Sequence, residues 1–213
     1  MKKGITKILS ACVFAFVVFL AAGTQSKAAV NMGVKQTGAG SSYVDLAWDA
    51  QLGAGHYHTQ FSQDGKNWID MDNSSSPSES VYNLTQGASY YARVVAYKGS
   101  HYTGTHVMIG VSETAIVSTK PTEVSGLTQT AAGVNSVSMS WNASAGAASY
   151  VIYGYINYNW TQIGTSATNS ATITGVAATT STRFSVAAVK NVTGGTVTGD
   201  QCSGVEMKAI PIK

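Results

Sequence analysis

Val44-Asp45-Leu46-Ala47-Trp48 returns 93 residues later as Val137-Ser138-Met139-Ser140-Trp141, and this repeat is the main evidence in the sequence for the fold. Both copies alternate in polarity and end in tryptophan, the pattern of a half-buried β-strand. Positions beyond each copy keep nearly the same spacing. They are Tyr57 and Tyr150 at an offset of 93, and Trp68 and Trp160, Leu84 and Val176, and Val94 and Val186 at an offset of 92. The sequence therefore predicts two similar domains in tandem.

The amino terminus has the pattern of a signal peptide of the bacterial type. Lys2, Lys3 and Lys7 precede an apolar run over residues 8–22, and Ser26-Lys27-Ala28 has the small-x-small pattern that signal peptidase accepts. The run is shorter than the roughly twenty residues of a membrane-spanning helix. We therefore expect cleavage after Ala28, no membrane span after cleavage, and a secreted, extracellular or cell-surface protein. A retained membrane helix is the alternative.

Charge and cysteine content narrow the function further. The whole chain has a formal net charge of +3, but loss of residues 1–28 removes four lysines and leaves nine basic groups against ten acidic ones. A chain without a basic patch lacks the electrostatic attraction that nucleic-acid binding requires, so nucleic acid is not expected as a partner. Cys202 is the one cysteine after residue 28, so the cores must hold the domains without an intrachain disulfide.

Short alternating segments rich in Thr, Val and Tyr, separated by Gly-containing turns, predict an all-β protein. Each repeat offers seven such segments, which is typical of a β-sandwich. They cover residues 32–36, 43–48, 56–61, 68–71, 81–84, 90–97 and 107–117 in the first repeat. In the second they cover residues 124–130, 137–141, 150–156, 160–164, 171–175, 182–190 and a segment within 196–207. We predict domain 1 over residues 29–119 and domain 2 over residues 120–213, joined by a short linker that Pro121 stiffens.

The two repeats resemble fibronectin type III domains. Three features carry the resemblance: the Trp that ends the second strand, the Tyr that opens the third, and residues 84–94 (LTQGASYYARV), which are similar to the family segment L-x-P-G-T-x-Y-x-V-R-V. The resemblance implies two tandem seven-stranded immunoglobulin-like β-sandwiches. It also implies that the hydroxyl of Tyr90 bonds back to the chain upstream, as in a tyrosine corner. Thr182 stands at the corresponding place in domain 2, so that bond is not expected there.

No catalytic pattern is present in the sequence. Nucleophile elbows, phosphate loops and paired metal-ligand motifs are absent, which indicates a protein that is not an enzyme and needs no cofactor. The four histidines all lie in domain 1, and the family resemblance brings together the segments that hold His56, His58, His101 and His106. We expect exposed polar side chains and no metal site there. A metal-dependent extracellular factor or enzyme that uses this cluster is the alternative.

A binding face is predicted in domain 2. Strand alternation sends one set of side chains inward, namely those of Tyr150, Ile152, Gly154 and Ile156. It therefore sends Tyr153 and Tyr155 outward, and Tyr158 and Trp160 follow in the hairpin. The corresponding outward positions of domain 1 are Gln60 and Ser62, so the shared fold does not require aromatic residues there. Exposed Tyr and Trp suit both sugar stacking and protein contacts. The alternative is that Trp160 covers its own sheet and the tyrosines are ordinary β-formers. The expected function is therefore that of a secreted binding or spacer protein for a protein or carbohydrate at the cell surface.

Overall fold

The computed structural model describes residues 29–99, 106–178 and 181–210. The predicted signal peptide, residues 1–28, and His101 lie outside these ranges. All the regular secondary structure of the described residues is β-strand. This part of the chain contains no helix that is long and apolar enough to cross a membrane.

Domain 1 is a sandwich of two sheets. Its strands are β1 (Ala29–Val30), β2 (Lys35–Ala39), β3 (Val44–Ala47), β4 (His56–Ser62), β5 (Ile69–Ser74), β6 (Ser78–Val81), β7 (Ser89–Lys98), β8 (Val107–Ser112) and β9 (Ala115–Ser118). One sheet has the order β1-β8-β7-β4-β5, with β9 also paired to β7, and the other has the order β2-β3-β6.

Domain 2 repeats this arrangement. Its strands are β10 (Thr128–Gly133), β11 (Ser136–Ser140), β12 (Ser149–Ile156), β13 (Asn159–Ser166), β14 (Ser170–Thr174), β15 (Thr182–Val192), β16 (Gly195–Thr198) and β17 (Val205–Met207). One sheet has the order β13-β12-β15-β16, with β17 also paired to β15, and the other has the order β10-β11-β14.

Each sandwich has seven strands when consecutive segments that pair with the same strand are counted as one, and when β1 and β2 are counted as one. β8 and β9 both pair with β7, and β16 and β17 both pair with β15. β1 and β2 together form the first strand, which begins in one sheet and continues in the other. The predicted fold class of two tandem seven-stranded sandwiches is confirmed by this strand order.

The last strand of domain 1 was predicted to be continuous over residues 107–117, which is wrong. The ladder breaks after Ser112, whose hydroxyl oxygen accepts the backbone N–H of Val94 at 2.8 Å and donates to the carbonyl of Glu113 at 2.8 Å. A side chain thereby replaces a backbone partner, and the strand resumes as β9 in a new register.

The same kind of aromatic contact occurs in both cores. Trp48 and Trp141 are buried, and each meets a tyrosine edge-on: Tyr57 at 5.4 Å between ring centroids in domain 1, and Tyr150 at 5.3 Å in domain 2. The hydroxyl of each tyrosine accepts a backbone N–H from six residues upstream, at 3.0 Å and 3.1 Å. The repeat seen in the sequence is therefore a repeat of packing and of hydrogen bonding.

The tyrosine corner implied for domain 1 is present. The hydroxyl of Tyr90 accepts the backbone N–H of Thr85 at 2.9 Å. At the corresponding place of domain 2, Thr182 pairs with Met207 in the sheet.

Candidate functional site

The hairpin between β12 and β13 turns on two residues that both have a left-handed backbone. Asn157 has φ 49° and Tyr158 has φ 64°, and Ile156 pairs directly with Asn159 around them. This is the pattern of a type I′ turn, whose twist matches that of the flanking strands. Asparagine tolerates this conformation, and glycine is the usual second residue because a side chain with a Cβ is strained there. Tyr158 therefore occupies a position that the turn does not favour for it.

The four predicted binding residues lie on and around this hairpin. Tyr153 is half-buried, while Tyr155, Tyr158 and Trp160 expose 38%, 90% and 36% of their surface. We call these four residues the aromatic tip. Ile156 was predicted to point inward, but it is 43% exposed. It lies on the inward side of β12, where Gly154 and Ile163 are its neighbours, yet it falls at the hairpin end beyond the core.

The indole of Trp160 is held from two sides. Its ring meets that of Tyr155 edge-on at 5.3 Å, because the two residues are directly paired across the hairpin. A Cβ placed on Gly204 would lie 2.7 Å from Cη2 of Trp160 and 3.4 Å from Nε of Arg183. The absence of a side chain at Gly204 thus makes room for the indole. Trp160 thus packs beside Tyr155 and Gly204 and still leaves about a third of its surface exposed.

Sequence reasoning missed Arg183 and Gly204, which come to the aromatic tip from distant parts of the chain. Ser185 on β15 pairs directly with Tyr153 and therefore faces the same side of the sheet. Arg183 is exposed and lies two residues before Ser185, so its side chain is on the same outward face as that of Tyr153. Glu206 pairs directly with Arg183 and is exposed on the same face. The aromatic tip is therefore bordered by one cation and one carboxylate. The strand alternation of residues 182–190 could have identified Arg183, but no local signal marks Gly204.

The corresponding face of domain 1 has a different chemistry. The guanidinium of Arg93 lies 4.1 Å above the ring of Trp68 and donates to Gln60 at 2.8 Å. Burial lowers the pKa of Arg93. Ser62, predicted to be outward, is buried because its hydroxyl bonds to the carboxylate of Asp64 at 2.9 Å and to the backbone of the loop that follows. In domain 1 a cation covers the tryptophan that in domain 2 stays partly open.

The aromatic tip lies at the end of domain 2 that points away from domain 1. Contacts with domain 1 come from the far end of β15 and the turn after it, where the backbone N–H of Thr193 donates to the carbonyl of Ile116 at 2.8 Å. The aromatic tip flanks the opposite end, near Arg183. Arg183 and Thr193 are ten residues apart along β15 and the turn after it, or about 33 Å at the rise of a β-strand. The aromatic tip is therefore free of the junction.

The described histidines of domain 1 form a cluster, as predicted, but they are not all exposed. The rings of His56, His58 and His106 lie 5.4, 5.4 and 6.1 Å apart, around the ring of Tyr97. His56 is only 4% exposed: its ring stacks on Tyr97 at 5.2 Å, and its Nδ1 lies 3.1 Å from the carbonyl oxygen of Gly99. The expectation of exposed side chains is wrong for His56, because imidazole and phenol rings pack together over the sheet.

A nearby carboxylate and burial also affect the ionisable groups of this cluster. Nδ1 of His58 lies 3.9 Å from Oδ1 of Asp70, and burial raises the pKa of the Tyr97 hydroxyl. In the part of the chain that the structure describes, no group of three or more His, Cys, Asp or Glu side chains is placed to hold a metal ion.

Two clefts lie away from the aromatic tip. One of about 370 Å³ lies at the domain junction and is lined by residues 36–39, 120, 192 and 194–198. The other, of about 540 Å³, lies on domain 1 and is lined mainly by serines and the carboxylates of Asp45, Asp72 and Glu79. Burial, and then the nearby charge of Asp72, raise the pKa of Glu79. Neither lining includes a residue of the aromatic tip, which is a convex hairpin end.

Comparison with known proteins places the chain beside fibronectin type III structures. No family model and no curated protein matches it. A solved structure of the FN1–FN3 domains of chicken CNTN1 is 14% identical, with a TM-score of 0.47 over 85% of this chain and 68% of that chain. A segment of two fibronectin type III domains from chicken tenascin is 17% identical, with a TM-score of 0.41 over 82% and 97%. The twitchin kinase region from C. elegans is 20% identical, with a TM-score of 0.37 over 43% and 17%.

Proposed function

We propose that this protein is an exported, non-enzymatic binding module that contacts a protein or carbohydrate at the cell surface through the aromatic tip. Domain 1 would then act as the spacer that carries the tip. The predicted signal peptide supports export, and the charge of the remaining chain argues against nucleic acid as the partner.

The observation that carries this proposal is the conformation of Tyr158. Tyr158 is 90% exposed and has φ 64°, so the fold gains little packing from its side chain and bears backbone strain there. Strain and exposure without packing are typical of residues kept for contact with a partner. Tyr155 and Trp160 beside it supply apolar area with polar atoms at the edge.

The position of the aromatic tip supports the same role. A contact surface at the end of domain 2 that is remote from domain 1 reaches a partner without disturbing the junction between the two domains. The surface is built on paired strands rather than on a long loop, so little ordering entropy opposes binding.

Retention of the purified protein on cell-envelope fractions tests this proposal. Native protein is compared with a Tyr153→Ala/Tyr155→Ala variant and with Tyr91→Ala, which removes an exposed tyrosine from the matching sheet of domain 1. We expect the double variant to be lost from the envelope fraction and Tyr91→Ala to be retained. Equal retention of all three folded proteins would remove the aromatic tip as the contact surface.

A further inference from the structure

We infer, on the basis of that proposed function, that the aromatic tip binds a neutral carbohydrate. In this arrangement one sugar ring stacks on the indole of Trp160, and its hydroxyl groups meet Arg183 and Glu206. The step beyond the proposed function is the choice of a sugar over a protein or a lipid, and it depends on four features of the surface.

The first feature is a fixed aromatic platform. The indole of Trp160 cannot turn freely, because Tyr155 meets it at 5.3 Å and Gly204 lies so close to its six-membered ring that a Cβ there would be 2.7 Å from Cη2 and 2.9 Å from Cζ2. A sugar ring has a flat face of C–H groups, which matches the negative face of an aromatic ring. A platform that is already oriented loses little side-chain entropy when such a face is laid on it.

The second feature is the chemistry of the border. Arg183 supplies only hydrogen-bond donors and Glu206, directly opposite it, supplies only acceptors. A sugar hydroxyl is both donor and acceptor and can use the two groups together. A phosphate or sulfate group would be repelled by Glu206, and an apolar ligand would remove water from both charged groups without offering either a hydrogen bond in return. The pair therefore favours a neutral ligand rich in hydroxyl groups.

The third feature is size and shape. A stable protein interface covers about 800 Å² on each partner, drawn from roughly 20 to 30 residues. The aromatic tip offers four side chains on an exposed hairpin, and neither of the two clefts described above is lined by them. Such a surface suits a linear polymer that lies across it, and does not suit a small ligand that needs enclosure.

The fourth feature separates this surface from a membrane anchor. Attraction to anionic lipids requires a cluster of basic groups. Arg183 faces a carboxylate, and the polar side chains of Asn157 and Asn159 flank Tyr158 at the point where insertion would begin. The aromatic tip therefore has the amphipathic rings of a membrane-interface surface, but it lacks the cluster of positive charges that would hold it to an anionic membrane.

Affinity electrophoresis in native gels tests the inference. The gels contain hydroxyethylcellulose, xylan, mannan or a soluble β-1,3-glucan, and a parallel assay measures retention on insoluble cellulose and chitin. The proteins compared are native protein, Trp160→Ala, Tyr158→Ala, Gly204→Ala and the control Tyr91→Ala. Thermal melting of each variant confirms that it is folded.

We expect at least one neutral polymer to retard native protein and Tyr91→Ala equally. Trp160→Ala should weaken binding by about tenfold or more, as expected for loss of a central aromatic contact. Tyr158→Ala tests the surface with a side chain whose loss cannot disturb the core. Gly204→Ala keeps every aromatic residue but must displace the indole, since its Cβ would lie 2.7 Å from Cη2. Weaker binding by this variant identifies Gly204 as a positioning residue.

Native protein that no polymer retards or retains, or a Trp160→Ala variant that binds like Tyr91→Ala, overturns the inference. The envelope assay separates this failure from failure of the proposed function. If envelope retention depends on Tyr153 and Tyr155 and is abolished by protease but not by periodate treatment of the envelope, the partner is a protein. The binding function then stands and the carbohydrate inference falls. If retention does not depend on these tyrosines, both fall.

Discussion

Trp48 shows how much of one domain rests on a single residue. Its indole is buried between the two sheets of domain 1 and meets Tyr57 at 5.4 Å. Replacing Trp48 with Ala should cost about 3 to 5 kcal/mol, through lost burial and the cavity that remains. That is comparable to the whole stability of a small domain. Differential scanning calorimetry should show the loss or a large downward shift of the domain 1 transition.

Tyr82→Ala is the control for this prediction, since Tyr82 is exposed in the same domain. Its melting profile should match that of native protein. An unchanged domain 1 transition in Trp48→Ala would contradict the strand facing on which both cores are built.

Asp64 makes a loop of domain 1 sensitive to acid. Its carboxylate accepts the backbone N–H groups of Asn67 at 2.8 Å and Lys66 at 2.9 Å, which hold its pKa well below the usual range. A lowered folded-state pKa gives stability that is present above the unfolded pKa of about 3.9 and is lost as the pH falls through the lower folded value. The difference in melting temperature between native protein and Asp64→Ala should therefore be larger at pH 6 than at pH 2.

Asp49→Ala serves as the comparison for Asp64→Ala, because it also removes a carboxylate from domain 1. A difference between native protein and Asp64→Ala that stays constant from pH 6 to pH 2 would show that the charged form makes no special contribution.

Single residues were predictable from the sequence where strand alternation decides their direction. Trp48, Trp141 and Tyr155 lie as expected, because alternation and the repeat specify their faces. Ser62 and His56 do not, because a hydrogen-bonded loop covers one and a cluster of rings covers the other. Such burial comes from side chains that lie on the outside of a sheet, and strand alternation contains no information about them.

The hairpin between β12 and β13 exposes the ring of Tyr158 at a cost in stability. The turn between β12 and β13 places Tyr158 at φ 64°, where a residue with a Cβ is roughly 1 to 2 kcal/mol less stable. Tyr158→Gly removes this strain, although glycine loses more chain entropy on folding. We expect a net gain of about 0.5 to 1 kcal/mol, which raises the melting temperature of domain 2 by a few degrees.

Tyr158→Ala is the matched variant for this prediction, because it removes the ring but keeps the strain. Both variants should bind the envelope or a polysaccharide equally weakly, while only the glycine variant melts higher. Equal melting temperatures for the two would show that the turn stores no strain at this position.

Strand existence was predictable in both repeats, and strand ends were less so. The first strand of domain 1 was expected near residues 32–36 and is found as β1 and β2, on either side of buried Met32. β1 pairs in parallel with β8, a long-range contact that no local pattern specifies. The split after Ser112 likewise depends on a hydroxyl that bonds to a neighbouring strand. Tertiary hydrogen bonds, rather than local propensity, set these boundaries.

At the level of the whole molecule, the two sandwiches are joined by more than the linker. β9 pairs with β7 on one side, and its other edge receives the turn after β15 of domain 2. Ile116 accepts the backbone N–H of Thr193 at 2.8 Å and donates its own N–H to Oγ1 of Thr193 at 2.7 Å. Domain 2 thereby covers a strand edge of domain 1 that would otherwise be open to pairing with another chain.

Two lysines add to this junction. Lys190 is buried, its Nζ donates to the carbonyl of Gly87 in domain 1, and burial lowers its pKa. Lys120 in the linker pairs with Asp200 of domain 2 at 2.7 Å. The Lys120–Asp200 pair is an exposed ion pair and contributes little to stability. The contact of buried Lys190 and the two hydrogen bonds between Ile116 and Thr193 should therefore decide how firmly the domains are joined.

Thr193→Ala/Lys190→Ala should therefore loosen the junction without unfolding either domain. Each lost hydrogen bond is worth about 0.5 to 1.5 kcal/mol, and the carbonyl of Gly87 and the N–H of Ile116 would then need water as a partner. Small-angle X-ray scattering should change from a profile that one rigid arrangement fits to one that requires several interdomain angles.

Thr174→Ala, an exposed threonine on β14, is the control and should scatter like native protein. A double variant that scatters like the control would mean that the short linker and the remaining junction contacts, such as Lys120 with Asp200, fix the angle. The position of the aromatic tip relative to domain 1 would then not depend on the contact between β9 and Thr193.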